Sequence, residues 1–201
     1  MDADCVPPAE LIERYLDPVP GERTGILAGA VRAAPGDSLA ARYAASRGHI
    51  DERFHLEHGP YPAGVTANLM VRREAFAEVG GFEGGIRSGG DVDFCWRVQR
   101  AGWGLEHRPE AAVGHRHPDE VARILAKARR HMTGRAWVNS RWPGALPRPP
   151  IARPFLRGPL VAAWWGVRGD RERARFKLID IQLAAASLRG YWRGDNTAPR
   201  R

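Results

Sequence analysis

Near the start of the chain, Asp2-Ala3-Asp4 sets two carboxylates on one short turn. Hard divalent cations such as Mg2+ and Mn2+ take oxygen ligands, and they bind diphosphates through one or two carboxylates plus phosphate oxygens. The competing reading of so short a triplet is a solvated acidic N-terminus. Further along, Asp91 follows Ser88-Gly89-Gly90 and heads a stretch that carries Val92, Cys95, Trp96 and Gln99 on one side. Glycine lets backbone come close to a ligand, and a helix N-terminus keeps a carboxylate ionised, so Asp91 stands as a charged side chain where a substrate can approach. The same position also suits a plain helix cap. Cys5 and Cys95 have no CxxC spacing and are too few for a disulfide framework.

The elements that must position these residues read as alternating helices and strands. Pro7 and Pro8 precede a helix with Leu11, Ile12, Tyr15 and Leu16 on one face, stopped at Pro18. Gly25 to Val31 and Val65 to Val71 read as strands, and Ala111 to Gly114 as a brief strand running into His115. Helices are expected around Leu39 to Ser46, with a polar loop after it, and over Arg72 to Val79, with Gly80 at the position that favours positive φ. Another is expected from Asp91 to Gly102. After Pro118 the pattern changes. Asp119 would cap a helix with Val121, Ile124, Leu125, Ala128 and Met132 inward, and Arg123, Lys127, Arg129 and Arg130 on its surface. A proline-rich linker is expected from Pro143 to Pro159, then two apolar stretches, Leu160 to Val167 and Phe176 to Leu188.

The chain has 201 residues, 43% of them hydrophobic and 27% charged, which suits one ordinary folded domain with a tail and excludes wholesale disorder. No apolar window is long enough for a spanning helix, and no secretory leader is visible, so the expected location is the cytoplasm. The formal charge is +8, and the lysines are Lys127 and Lys177 alone, so arginine supplies almost all of it. The start is acidic and the stretch beyond Arg123 is basic. That asymmetry suits a polyanionic partner, or simply a solvated arginine-rich face.

Ordered along the chain are Asp2-Ala3-Asp4, Thr66 to Phe76 (TANLMVRREAF), Val79-Gly80-Gly81-Phe82, Gly90 to Arg97 (GDVDFCWR), Ala101-Gly102-Trp103 and Pro109 to His115. In that order and spacing they resemble the second half of a family-2 glycosyltransferase of the GT-A fold. The resemblance covers roughly residues 1 to 117. It implies an α/β fold, a partial GT-A (Rossmann-like) sheet with helices, followed from residue 118 to 201 by a helical, arginine-rich tail. It also implies that the DxD is preceded in the family by a nucleotide-binding half of roughly one hundred residues, so this chain is expected to be the C-terminal part of such an enzyme.

Residue by residue, the resemblance makes Asp2 and Asp4 the DxD site, with Asp4 the more direct ligand of Mg2+ or Mn2+ and Asp2 helping to hold the nucleotide sugar. The family's paired acids fall at Gly90-Asp91: the first is replaced by glycine and the second, Asp91, matches the catalytic base. His115 matches a histidine that contacts metal or diphosphate, against the reading of a hydrogen-bonded surface histidine. Asn68, Gly81, Asp93 and Trp96 are the substrate-binding candidates, although a turn and a strand end account for the first two almost as well. Trp96 and Trp103 are either sugar-stacking platforms or packing aromatics. Arg141-Trp142 matches only part of a QxxRW element, because Val138 stands at the Gln position.

The chemistry implied is inverting sugar transfer from a nucleotide-diphosphate sugar to a hydroxyl on a cell-envelope or lipid-linked glycan. One carboxylate deprotonates the acceptor and a bound cation offsets the leaving diphosphate's charge. Trp164 and Trp165 among arginines suit peripheral contact with the inner face of the cell membrane. The alternative is a non-catalytic arginine-rich module that binds an anionic membrane surface or nucleic acid. It explains the charge but not the ordered acidic motifs.

Overall fold

The computed structural model describes residues 2–48, 53–150 and 153–197. Its centre is a four-stranded sheet. The strands are β1 (Cys5–Val6), β2 (Thr24–Ala33), β3 (Leu69–Val71) and β4 (Gly104–His115), in the order β1-β4-β2-β3. The long strands β2 and β4 run parallel, with Thr24 beside Gly104 and Ala33 beside His115. The short edge strands are antiparallel to their neighbours: Cys5 faces His115, and Leu27 faces Met70. A parallel pair needs a crossover, and β2 is buried along its first eight residues, as a strand covered on both faces should be.

The two faces of β2 feed two apolar clusters. Ile26 packs with Ala75, Val92, Phe94, Trp96 and Val98, whereas Leu27 and Val31 pack with Leu11, Tyr15, Ala111 and Val113. Strand alternation accounts for that division. The covering helices are α1 (Leu11–Leu16), α2 (Leu39–Ser46), α3 (Arg53–Glu57), α4 (Arg73–Glu78) and α5 (Gly90–Arg100). Ser38 caps α2 by accepting from the Ala41 N–H at 3.0 Å, and Gly80 follows α4 at φ +75°, where its lack of a Cβ is needed.

The C-terminal stretch forms three long helices, α6 (Val121–Arg141), α7 (Arg153–Val167) and α8 (Arg171–Arg193). They are tied to the sheet region. Val138 and Leu146 lie in the same core as Trp96, while Ile124, Phe176 and Ile179 close over Ala40, Tyr43 and Ala44 of α2. Asp180 accepts hydrogen bonds from Tyr43 Oη at 2.8 Å and from Arg47 Nη2 at 3.0 Å. A Cβ on Gly134 would lie 2.7 Å from the Ser88 backbone, so glycine permits α6 to cross directly over the loop that leads to Asp91.

Several expected boundaries shift. The strand expected at Ala111 begins seven residues earlier, at Gly104. Its first half is polar, but Glu106 accepts from Thr24 Oγ1 and pairs with Arg108, so those charges are met inside the sheet. The strand expected over Val65 to Val71 is a 3-10 turn at Thr66–Asn68 and then β3. α3 occupies part of the expected polar loop, and residues 49–52 lie outside the described residues. Asp119 is not the cap of α6: Glu120 precedes that helix, and no side chain closes its first turn. The linker expected to reach Pro159 gives way at Arg153 to α7, which carries Pro159 within it, and residues 151–152 lie outside the described residues. Eight α7 residues follow Pro159 in that helix, although an interior proline costs ~3 kcal/mol, and Gly158 beside it packs closely on Ile181 of α8.

Candidate active site

His115 ends β4 and has Cys5 of β1 directly beside it, so the turn before β1 carries Asp4 up to the imidazole. His115 Nε2 lies 3.2 Å from Asp4 Oδ2. Arg116 N–H donates to the Asp4 carbonyl at 3.0 Å, and Cys5 N–H to the Asp2 carbonyl at 3.1 Å, which fixes that turn. The ligand atoms of Asp4, Cys5 and His115 all lie within 4.8 Å of one another. His115 is buried at 2% exposure, Asp4 is exposed, and the buried His115 Nδ1 has no hydrogen-bond partner among the described residues. Burial and the nearby Lys127 charge push the His115 pKa down, with Asp4 and Asp2 pulling against them. The lowered pKa favours the neutral imidazole, the form a metal ligand needs. Burial and the Asp4 charge push the Cys5 thiol up, which makes it the poorer ligand of the three. A carboxylate and a neutral imidazole fit a divalent cation that keeps open positions for phosphate oxygens. Asp2 stays exposed and outside this group.

Asp91 lies in the first turn of α5, after Gly89 at φ +85°. It is half-buried; Oδ1 accepts from the Val92 N–H at 3.0 Å, and Oδ2 lies 3.5 Å from the Thr66 N–H. Thr66 opens the turn that carries Asn68 to Ala30 in the second half of β2. Asp91 and the Asp4–His115 pair thus both lie toward the carboxyl end of the parallel β2–β4 pair. Open α/β sheets bind their ligands outside that end. Asp91 is not the residue before the helix; Gly89 is, and it offers no side chain.

The remaining candidates are held differently. Asp93 has no exposure; Oδ2 lies 2.8 Å from Arg97 Nε, and Oδ1 lies 2.9 Å from both Arg141 Nε and Trp142 Nε1. Arg97 in turn donates to the Val79 and Gly81 carbonyls at 2.6 Å, so Gly81 belongs to a turn braced from α5. Asn68 is 2% exposed; it accepts from Tyr15 Oη and donates to the Ala30 and Ala111 carbonyls, which ties α1 to both long strands. Trp96 has no exposure and donates its indole N–H to the Tyr61 carbonyl at 2.7 Å, so neither ring face is open for a sugar to stack on. Trp103 is half-buried under Arg23, whose guanidinium lies 4.4 Å from the ring centroid.

Sequence reasoning missed three neighbours. His55 of α3 senses the Asp91 charge, and its buried Nδ1 has no hydrogen-bond partner among the described residues. Lys127 and His131 of α6 line a pocket with His117 and Pro118, and Lys127 senses Asp4. The available signal was the i, i+4 spacing of Lys127 and His131 in a chain nearly devoid of lysine.

Among known proteins, residues 1–176 match the family described as Glycosyl transferase family group 2. Two curated relatives from Mycobacterium tuberculosis, strains CDC 1551 / Oshkosh and ATCC 25618 / H37Rv, each carry the name Pre-mycofactocin glycosyltransferase. Both are 34% identical over 96 residues, which is 46% of this chain and 20% of theirs. The matched stretch therefore spans about a fifth of the length of those relatives. Since the family match takes in most of the chain, including Asp4, Asp91 and His115, the chain belongs to glycosyl transferase family group 2, an enzyme family.

Proposed function

We propose that this chain carries the cation-binding and proton-accepting part of an inverting sugar transfer from a nucleotide-diphosphate sugar to an acceptor hydroxyl. The observation that carries the reading is the 3.2 Å contact of His115 Nε2 with Asp4 Oδ2 at the sheet end toward which Asp91 also lies. Asp4 and His115 would hold Mg2+ or Mn2+, with Asp2 at the entrance against the nucleotide sugar. When bound, such a cation offsets the negative charge that develops on the departing diphosphate. Asp91 takes the proton from the acceptor hydroxyl, and the preceding Gly89-Gly90 backbone leaves room for that hydroxyl to approach. Inversion needs no second carboxylate as nucleophile, because no covalent intermediate forms. The acceptor class is a lipid-linked or cell-envelope glycan; the name of the two relatives makes pre-mycofactocin a further acceptor to try.

The same reading places the chain at the inner face of the membrane by peripheral contact. No helix among the described residues is long and apolar enough to cross a bilayer. On α7, however, Leu156, Leu160 and Val167 are 71%, 72% and 90% exposed, Trp164 is exposed beside them, and Arg153, Arg157 and Arg168 border the stripe. This is the composition of a helix that lies in a lipid interface. The test of function is the melting temperature of the chain with nucleoside diphosphates, with and without Mn2+. A rise that needs both supports sugar transfer. No rise with any nucleotide, alongside a rise with DNA or anionic vesicles, would favour the non-catalytic arginine-rich module instead.

A further inference from the structure

Lys127 and His131 stand one turn apart on α6 and line one pocket together with Ala44, His117, Pro118, Ile124 and Ala128. Lys127 is half-buried, and its ammonium makes no hydrogen bond or ion pair among the described residues. Lys177, the other lysine, sits 3.1 Å from Asp180. One turn beyond His131, Arg135 continues the row, its guanidinium 4.6 Å from the Phe54 ring centroid. The acidic groups that face this row are Asp4 and Asp2, which attract Lys127 from the β1 turn, and Asp91, which acts on His55. His131 reaches solvent, and its partial burial with the Lys127 and Arg130 charges pushes its pKa down, which favours the neutral imidazole. The pocket is therefore lined by nitrogen donors and apolar side chains, with no carboxylate on its wall.

We propose that Lys127 and His131, one turn apart on α6, form a binding site for a phosphoryl group that works without a metal ion. A lysine ammonium is a point charge suited to phosphate, and a neutral imidazole N–H adds a directed donor to a second oxygen. Apolar Ala44, Ile124 and Pro118 exclude water and strengthen both contacts. The phosphoryl group belongs either to the donor's diphosphate or to a phosphate on a lipid acceptor. The proposal rests on the sugar-transfer reading for the identity of these sources, but not on the cation at Asp4.

Titration calorimetry of the whole chain with inorganic pyrophosphate in EDTA tests it. Binding is expected, and Lys127→Met should weaken it about tenfold or more, the usual cost of losing one charged hydrogen bond. Methionine keeps the aliphatic stem, an unchanged melting temperature shows that the variant folds, and Lys177→Met should leave binding as it is. No binding in EDTA, or equal binding by Lys127→Met, overturns the proposal. Failure of the metal reading shows separately, as a wild-type chain that binds pyrophosphate in EDTA but gains nothing from Mn2+. UDP and dodecyl phosphate then separate the sources. If Lys127→Met weakens UDP, the phosphate is the donor's; if it weakens dodecyl phosphate and spares UDP, it is the acceptor's. Either result places a phosphoryl group on Lys127, whereas both probes unchanged overturns the site.

Discussion

Trp142 donates its indole N–H to Asp93 Oδ1 at 2.9 Å, across the gap between the end of α6 and the first turns of α5. Arg141 reaches the same oxygen and Arg97 the other, so a carboxylate with no exposure has its negative charge met by two guanidinium groups. Asp93 is thus the joint that fixes the helix of Asp91 against α6. Removing one partner of a buried pair strands the others, at about 3–5 kcal/mol. Asp93→Ala is expected to lower the urea unfolding free energy by about that amount. A loss below roughly 1 kcal/mol, no more than an exposed pair is worth, would show that the joint carries no load.

Asp93 also shows where sequence reading stopped. The ordered motifs located it, and resemblance suggested a substrate contact, but its three partners come from Arg97 on its own helix and from Arg141-Trp142 some fifty residues away. Arg141-Trp142 was a poor match to its element because one Gln was missing, and no periodicity records that it folds back onto α5. Trp96 failed for a related reason. The expected one-sided helix face was real, but α5 is buried from Val92 through Trp96, so its aromatics are core. The polar half of β4 was invisible because Glu106 and Arg108 neutralise each other within the sheet. Asp4 and His115, by contrast, were singled out together by the resemblance of the ordered motifs, and the β1–β4 register brings their side chains to 3.2 Å.

Acid should weaken the fold through its histidines. His55, His115 and His131 are all held below their ordinary pKa, chiefly by enclosure. A lowered folded pKa means that the unfolded chain binds the proton first, near pH 6.5. The stability they lend is present above that pH and is lost progressively as pH falls through the folded values. Urea midpoints measured from pH 8 to pH 5 should therefore stay level to about 6.5 and then drop. His55→Gln should make the drop shallower; an unchanged slope would show that His55 takes no part in it.

The α7 stripe predicts salt-sensitive attachment to anionic vesicles. Arg168 covers the Trp164 ring at 4.1 Å in water, and lipid phosphates offer that guanidinium a competing partner. The chain should sediment with phosphatidylglycerol vesicles, and about 1 M salt should release it, since that shrinks the screening length to roughly 3 Å. Leu160→Glu places a charge at the centre of the stripe and should abolish binding without loss of melting temperature, because Leu160 is 72% exposed. Binding that persists in Leu160→Glu would exclude this face.

Asp91 offers the sharpest test of mechanism, because one substitution separates two roles. The shorter of the two Asp91 contacts is acceptance of the Val92 N–H by Oδ1, which an asparagine oxygen accepts equally well, while the Thr66 N–H stands off at 3.5 Å. Asp91→Asn should therefore leave the melting temperature, Mn2+ binding and nucleoside-diphosphate binding close to wild type. What asparagine lacks is basicity. If Asp91 accepts the acceptor proton, transfer should fall by about 10²–10⁴-fold, the usual worth of a general base. The loss should appear in kcat with KM little changed, since the acceptor hydroxyl still meets an oxygen there. A folded Asp91→Asn protein that binds nucleotide and keeps more than about a tenth of its turnover would assign proton abstraction elsewhere. His55 would be the next candidate, because it shares the Asp91 field and its buried Nδ1 has no hydrogen-bond partner among the described residues.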